Sequence, residues 1–335
     1  MRVNQTATSD GTRLLPQAPS LAPAKKGARS GWDVVARVAL VVVWSSGFIS
    51  GKLGLRHASP CTFAGLRFAL AGGVLLAIGL ILRQKLPRGG ALGHLLVAGV
   101  LVQGVQFSSI YVAMDRGVPS GLAALVIALY PLAASLIAIP VLHERVTRGQ
   151  YFGLFLGLGG VVLAVSESLA LGGAHLVGIA FLFLGLLGIS LGTVYQRRFC
   201  AGMEPVMGNA VQLLAAAVAA LVPAFLVEGF DVTFSAGYWP ALLWAAFVNS
   251  IVGVGLLYGL LRRHGTSQVS SLFHLVPMVT AGLAALTLGQ HLGPLTLGGL
   301  VLATAGTLLA NRVRGFRRNQ QDVGDRIDPG AVRLH

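Results

Sequence analysis

The sequence predicts an all-α integral membrane protein of ten transmembrane helices, arranged as two inverted five-helix repeats. Three observations carry that prediction: an apolar composition, self-similarity at one offset, and positive charge in alternate loops. Residues 120–144 and 267–290 both read as an apolar helix with a central proline and a polar end. Pro131 matches Pro277 and Glu144 matches Gln290 at the same 146-residue offset.

Apolar residues make up 55% of the chain and charged residues 11%, and the mean hydropathy is +0.76. Helices that are apolar all round belong in a bilayer, so membrane lipid is an expected partner. The net charge of +14 would suit nucleic acid only with basic residues interleaved with aromatics on a solvated face. Here the basic residues sit in short clusters between apolar runs, and nucleic acid is not an expected partner. Cys61 and Cys200 have neither CxxC nor metal-ligand spacing, and no metal or cofactor is expected.

Residues 1–31 are polar, carry Pro16, Pro19 and Pro23, and lack the apolar core of a signal peptide. They are expected to form a disordered cytoplasmic tail, as are residues 314–335 with Arg317, Arg318, Asp322, Asp325 and Asp328. Between the tails, charges and turn residues divide the chain into ten apolar segments, each near the ~17–25 residues that cross a bilayer. Their approximate spans are 33–52, 61–82, 92–114, 120–142 and 149–166, then 175–196, 206–227, 238–261, 266–288 and 293–311. The first five form one domain, 32–168, and the second five another, 174–313. Period-two alternation is missing and Gly, Ala and Leu abound, so helices rather than a closed barrel are expected.

Orientation follows from the loops. Seventeen lysines and arginines, from Lys25 through Arg83, Arg148, Arg197 and Arg262 to Arg318, fall on one side. The other side holds Lys52, Arg56 and Arg116, together with Glu167, Glu228 and Asp231. Both termini are therefore expected in the cytoplasm, which requires an even number of crossings. Further echoes extend the repeat: Gly153 and Gly160 return as Gly299 and Gly306, Ser59-Pro60 as Glu204-Pro205, and Tyr111 with Arg116 as Tyr258 with Arg263. Five helices per copy is an odd number, so the second copy enters the membrane from the opposite side. Inverted halves of this kind are associated with alternating-access carriers; duplication retained only for stability is the competing reading.

The ordered set Tyr130-Pro131, His143-Glu144-Arg145, Gln150, Gly153, Gly157 and Gly159-Gly160-Val161-Val162 resembles an EamA domain of the drug/metabolite transporter superfamily. Trp44-Ser45-Ser46-Gly47-Phe48 with Lys52, and Phe63 to Arg67, resemble the opening of such a domain. The resemblance covers about residues 35–312 and rests on the whole set, since no single motif is sharp. It implies an inner-membrane carrier of small metabolites, often an exporter of amino acids or related compounds. It also implies a central cavity lined by helices other than the fifth and tenth. Gln290 departs from the acidic residue at the matching Glu144, so the two copies differ in charge there.

Arg67 lies inside an apolar segment, where insertion scales put the cost of a cation at about 2.5–3.5 kcal/mol, so it must be paired or face water. It could meet a substrate carboxylate, or snorkel to the interface. His274, three residues before Pro277, could hydrogen-bond substrate or carry a proton, or simply bind a neighbouring helix. Trp44, Tyr111 and Tyr130 are candidates for an aromatic lining. Tyr195 and Tyr258 share that chemistry, and Gln103, Gln106, Asn209 and Asn249 offer polar groups whose commoner use is interhelical bonding. Pro131 and Pro277 are hinge candidates, and Glu144 and His274 coupling candidates. The glycines of the fifth and tenth segments read as intramolecular packing devices, with a homodimer as an extension.

No catalytic residue is expected, because HExxH, GxSxG and paired acidic motifs are absent from the segments. No Walker motif suggests ATP drive, and no acidic residue lies mid-segment, so facilitated exchange stands beside proton antiport. A lipid scramblase or membrane-embedded receptor is the alternative to a metabolite transporter. Deleting residues 1–28 is expected to leave activity unchanged.

Overall fold

The computed structural model describes residues 31–142, 148–169, 173–264, 266–290, 292–306 and 308–309. Glu144 and nearly all of the two tails lie outside the described residues. Among the described residues the regular structure is helical, apart from one isolated bridge between Ala58 and Val232. The helices are α1 (Gly31–Gly54), α2 (Pro60–Ile81), α3 (Gly90–Asp115), α4 (Ser120–Ile127), α5 (Tyr130–Leu142) and α6 (Arg148–Leu169). They continue as α7 (Gly173–Phe199), α8 (Pro205–Leu226), α9 (Tyr238–Arg263), α10 (Thr266–Leu272), α11 (Val276–Leu288) and α12 (Pro294–Gly306).

Seven stretches are long and apolar enough to cross a membrane: α1, α2, α3, Ser120–Val141 across α4 and α5, α7, α8 and α9. Shorter apolar stretches at Tyr151–Ser166, Phe273–Leu288 and Pro294–Gly306 fall where the fifth, ninth and tenth crossings are expected. The outer surface displays Phe155, Val162, Val218, Leu226, Leu286 and Val301. So broad an apolar surface suits lipid rather than water.

The two matched prolines explain the breaks in the fourth and ninth segments. Proline lacks an N–H and clashes with the carbonyl four residues back, but it fits the first turn of a helix. Pro131 is the second residue of α5, just after α4 ends in a turn at Ala128 and Leu129. Pro277 is the second residue of α11, and the single 3₁₀ turn Phe273–Leu275 separates it from α10. Two π-helical stretches, Val100–Val105 in α3 and Trp244–Gly253 in α9, also recur. Gln103 and Asn249 lie within them, separated by the repeat offset.

Helix starts leave backbone N–H groups without intrahelical partners. Residues from distant loops supply those partners. The Glu228 carboxylate accepts from Cys61 N at 2.9 Å and Thr62 N at 3.1 Å at the start of α2. Gln84 Oε1 accepts from Met207 N at 3.2 Å at the start of α8, and Gln290 Oε1 from Ser120 N at 3.0 Å at the start of α4. Glu228 and Gln290 thus have capping roles that their loop positions did not reveal. An anion at a helix N-terminus also meets the positive end of the dipole. Glu228→Ala is expected to destabilise the protein by about 1–2 kcal/mol, with Glu228→Gln retaining part of that, measured by thermal unfolding in detergent.

The most extensive helix pairing is α2 against α8. At the far edge, α6 and α12 meet through small residues. A Cβ on Gly299 would lie 2.3 Å from Gly160 O, and one on Gly306 would lie 2.7 Å from Gly153 O. Thr296 Oγ1 adds a hydrogen bond to Ala164 O at 3.3 Å. The glycine stripes therefore pack the two segments on each other.

Candidate functional site: a central polar cavity

A cavity of about 370 Å³ lies among α1, α2, α3, α4, the start of α5, α7, α8, α9 and the broken helix around Pro277. That volume is in the range that holds a small organic ligand. Trp44, Arg67, Tyr111, Tyr130, Pro131 and His274 all line it. Residues from positions 44 to 274 thus converge on one space. Pro277 is buried beside it, next to the lining residue Val276. Tyr258 also lines the cavity, whereas Tyr195 packs against His94 and Phe199.

Arg67 is 3% exposed, so it does not snorkel to the interface. Its guanidinium donates through Nη1 to Tyr111 Oη and through Nη2 to Ser250 Oγ at 3.3 Å. Its central carbon lies 4.4 Å from the Phe107 ring centroid and 5.0 Å from that of Phe68. Nε is buried without a hydrogen-bond partner. Aromatic faces attract a cation, but they do not neutralise it. The Asp33 carboxylate pairs with Arg263 and lies 3.2 Å from His264 Nε2, and among the described residues no carboxylate pairs with Arg67. Arg67 is therefore a buried permanent cation with no carboxylate against it, and no aspartate or glutamate occurs among the described lining residues.

The other lining groups carry no fixed charge. Gln106, Asn209, Gln212 and His274 are buried polar side chains, and Gln103, Gln196 and Asn249 join them. Asn249 Nδ2 donates to Val43 O, while its Oδ1 is buried and unpartnered. Trp44 stands edge-on to Phe273, with centroids 4.9 Å apart and planes at 89°. Phe107 and Ser250 are lining residues that sequence reasoning missed. Phe107 could have been found from its i, i+4 relation to both Gln103 and Tyr111, which puts the three on one helix face.

The cavity extends unevenly. It runs from Arg67 and Tyr111 past Gln196, Asn209, Leu261 and Val269, towards the end of the bundle that carries Arg197, Arg198, Arg262 and Arg263. At the other end Phe63, Tyr111, Met114 and Tyr238 are fully buried, with the Phe63 ring edge-on to those of Tyr111 and Tyr238. Lys52 Nζ donates to Met114 O there, and the Ala58–Val232 bridge joins the loops.

One hydrogen bond ties a broken helix to the cavity wall: Ser45 Oγ donates to Val276 O, the carbonyl just before Pro277, at 3.2 Å. At the matched position Ser190 Oγ gives its proton to Leu186 O at 2.6 Å within its own helix and only approaches Tyr130 O, at 3.5 Å.

Many apolar helices around one polar, cation-bearing cavity define a polytopic membrane protein with a small-molecule site. The model of the EamA-like transporter family matches residues 31–166 and 176–312, and the chain belongs to that family. It is a membrane transporter rather than an enzyme. The chain is 32% identical over 292 residues to a probable amino-acid metabolite efflux pump of Salmonella typhimurium LT2, covering 83% of this chain and 93% of that one. It is 30% identical to the protein of the same name from Escherichia coli K12, covering 82% and 93%. An uncharacterized inner membrane transporter of that bacterium, YedA, is 28% identical over 81% of this chain and 86% of its own length. A solved crystal structure shares the fold, with a TM-score of 0.58 at 18% identity over 83% of this chain and 97% of that one.

Proposed function

We propose that the chain is a secondary transporter that exports amino acids or related small metabolites across the inner membrane by alternating access. The observation that carries this reading is Arg67: a buried guanidinium at the head of the cavity, held by neutral groups, suits a substrate carboxylate. The names of the efflux-pump relatives point to the same class of cargo.

The proposal includes ten crossings, in repeats 32–168 and 174–313, inverted relative to one another with both termini cytoplasmic. In that orientation the cavity faces the cytoplasm and the aromatic plug closes the opposite side, the state in which an exporter loads. Pro131 and Pro277 act as hinges, because the helix breaks just before them leave short segments on either side that can reorient. His274 and Glu144 are the coupling candidates, and a gradient or exchange supplies the energy.

Proteoliposomes test this directly, with radiolabelled amino acids and their derivatives exchanged across the membrane with and without a proton gradient. Saturable exchange of carboxylate-bearing solutes is expected. Ala128→Trp, which places an indole in the cavity lining, should abolish exchange while the protein still elutes as a folded species. Lipid flipping without solute exchange would instead make the protein a scramblase.

A further inference from the structure

The cavity is electrically one-sided, and this bears on which carboxylates it takes. Arg67 contributes one fixed positive charge, and the described lining contributes no negative one. An ordinary amino acid brings its ammonium along with its carboxylate, so seating the carboxylate on Arg67 also draws a second cation close to the guanidinium. In a lipid-embedded cavity such like charges are poorly screened and the ammonium loses its hydration. The aromatic rings nearest Arg67 are not free to receive an ammonium: Phe107 and Tyr111 lie around the guanidinium itself, and Trp44 is packed edge-on to Phe273, which leaves Tyr130 and Tyr258 farther along the lining.

The neutral groups have the opposite preference. Side-chain amides both donate and accept, which matches an acyl amide, a hydroxyl or a keto group as well as one another. Gln103, Gln106, Asn209, Gln212 and Asn249 all line the cavity. Asn249 adjoins Ser250, which itself bonds Arg67, and its Oδ1 is a buried acceptor without a partner. A neutral N–H or O–H two bonds from a carboxylate could satisfy it without adding charge.

Building on the carboxylate reading above, we infer that the preferred cargo is a monoanion: an amino-acid derivative whose amine is acylated, or replaced by a hydroxyl or keto group. Its charge cancels that of Arg67, so the loaded site is neutral. A zwitterion leaves the loaded site with the full charge of Arg67.

The test uses the full-length protein in proteoliposomes with matched sets of three compounds: leucine, N-acetylleucine and leucinamide, and the same sets built on phenylalanine and serine. The N-acetyl acid of at least one set should half-saturate exchange at a concentration about tenfold or more below its parent amino acid, and the cationic amides should not be carried. Arg67→Lys, which keeps the charge, should keep that order, whereas Arg67→Gln should lose it. Parent amino acids carried as well as their N-acetyl forms would overturn the monoanion inference while leaving the carboxylate site intact. Preference for the amides, or exchange of no compound in any set, would overturn both.

Discussion

Replacing Arg67 by glutamine is expected to reduce transport of the cognate carboxylate about 100-fold or more while leaving the protein folded. The expectation follows from what surrounds the side chain. Removing one partner of a buried charge pair costs about 3–5 kcal/mol, because the remaining charge is stranded in a poor solvent. In the variant the stranded charge is the substrate carboxylate, so the loss appears in binding rather than in the empty protein. The empty protein sheds a buried cation that has no carboxylate partner among the described residues. Thermal stability should therefore hold steady or rise. Arg67→Lys keeps a point charge but not the planar fork that reaches Tyr111 and Ser250 together. It should fall between the two, with about a tenfold loss. Equal transport by wild type and Arg67→Gln would remove the residue from the site.

The second large effect is structural. Gly299→Val should sharply reduce the yield of folded protein, measured by size-exclusion profile and thermal unfolding in detergent. A Cβ at Gly299 would sit 2.3 Å from Gly160 O and 2.8 Å from Ala164 N. Both are backbone atoms, so no side-chain rotation relieves the clash, and the α6–α12 pair must separate. Overpacking costs about 1–3 kcal/mol where a core can adjust, and this contact belongs at or above the top of that range. Gly282 is the control, since a Cβ there meets nothing within 4 Å. Gly282→Ala should behave as wild type.

The matched prolines illustrate how far sequence reasoning reached. Their spacing exposed the duplication, because composition and periodicity survive in the chain as written. What happens around them was not legible. Proline forbids one hydrogen bond, but whether the helix kinks or stops depends on what can hold the freed ends. The distant hydroxyl of Ser45 binds the carbonyl just before Pro277, whereas Ser190, near Pro131, bonds within its own helix. Glu228 and Gln290 make the same point. Read as a loop residue and as the polar end of a repeated helix, they turn out to cap the starts of α2 and α4, over 160 positions away.

The membrane-helical class and the EamA family resemblance were readable from the sequence. The reason is that lipid is a demanding solvent: it requires long apolar helices and penalises charges within them, and both leave marks along a linear chain. Arg67 stood out for that reason alone. The partners of Arg67 needed the tertiary structure, since Phe107, Tyr111 and Ser250 reach it from α3 and α9. So did the absence of a carboxylate from the described cavity lining, for which residues scattered over eight segments had to be brought together. Which groups share one small volume is decided by packing between distant helices, and that packing is not written in local spacing.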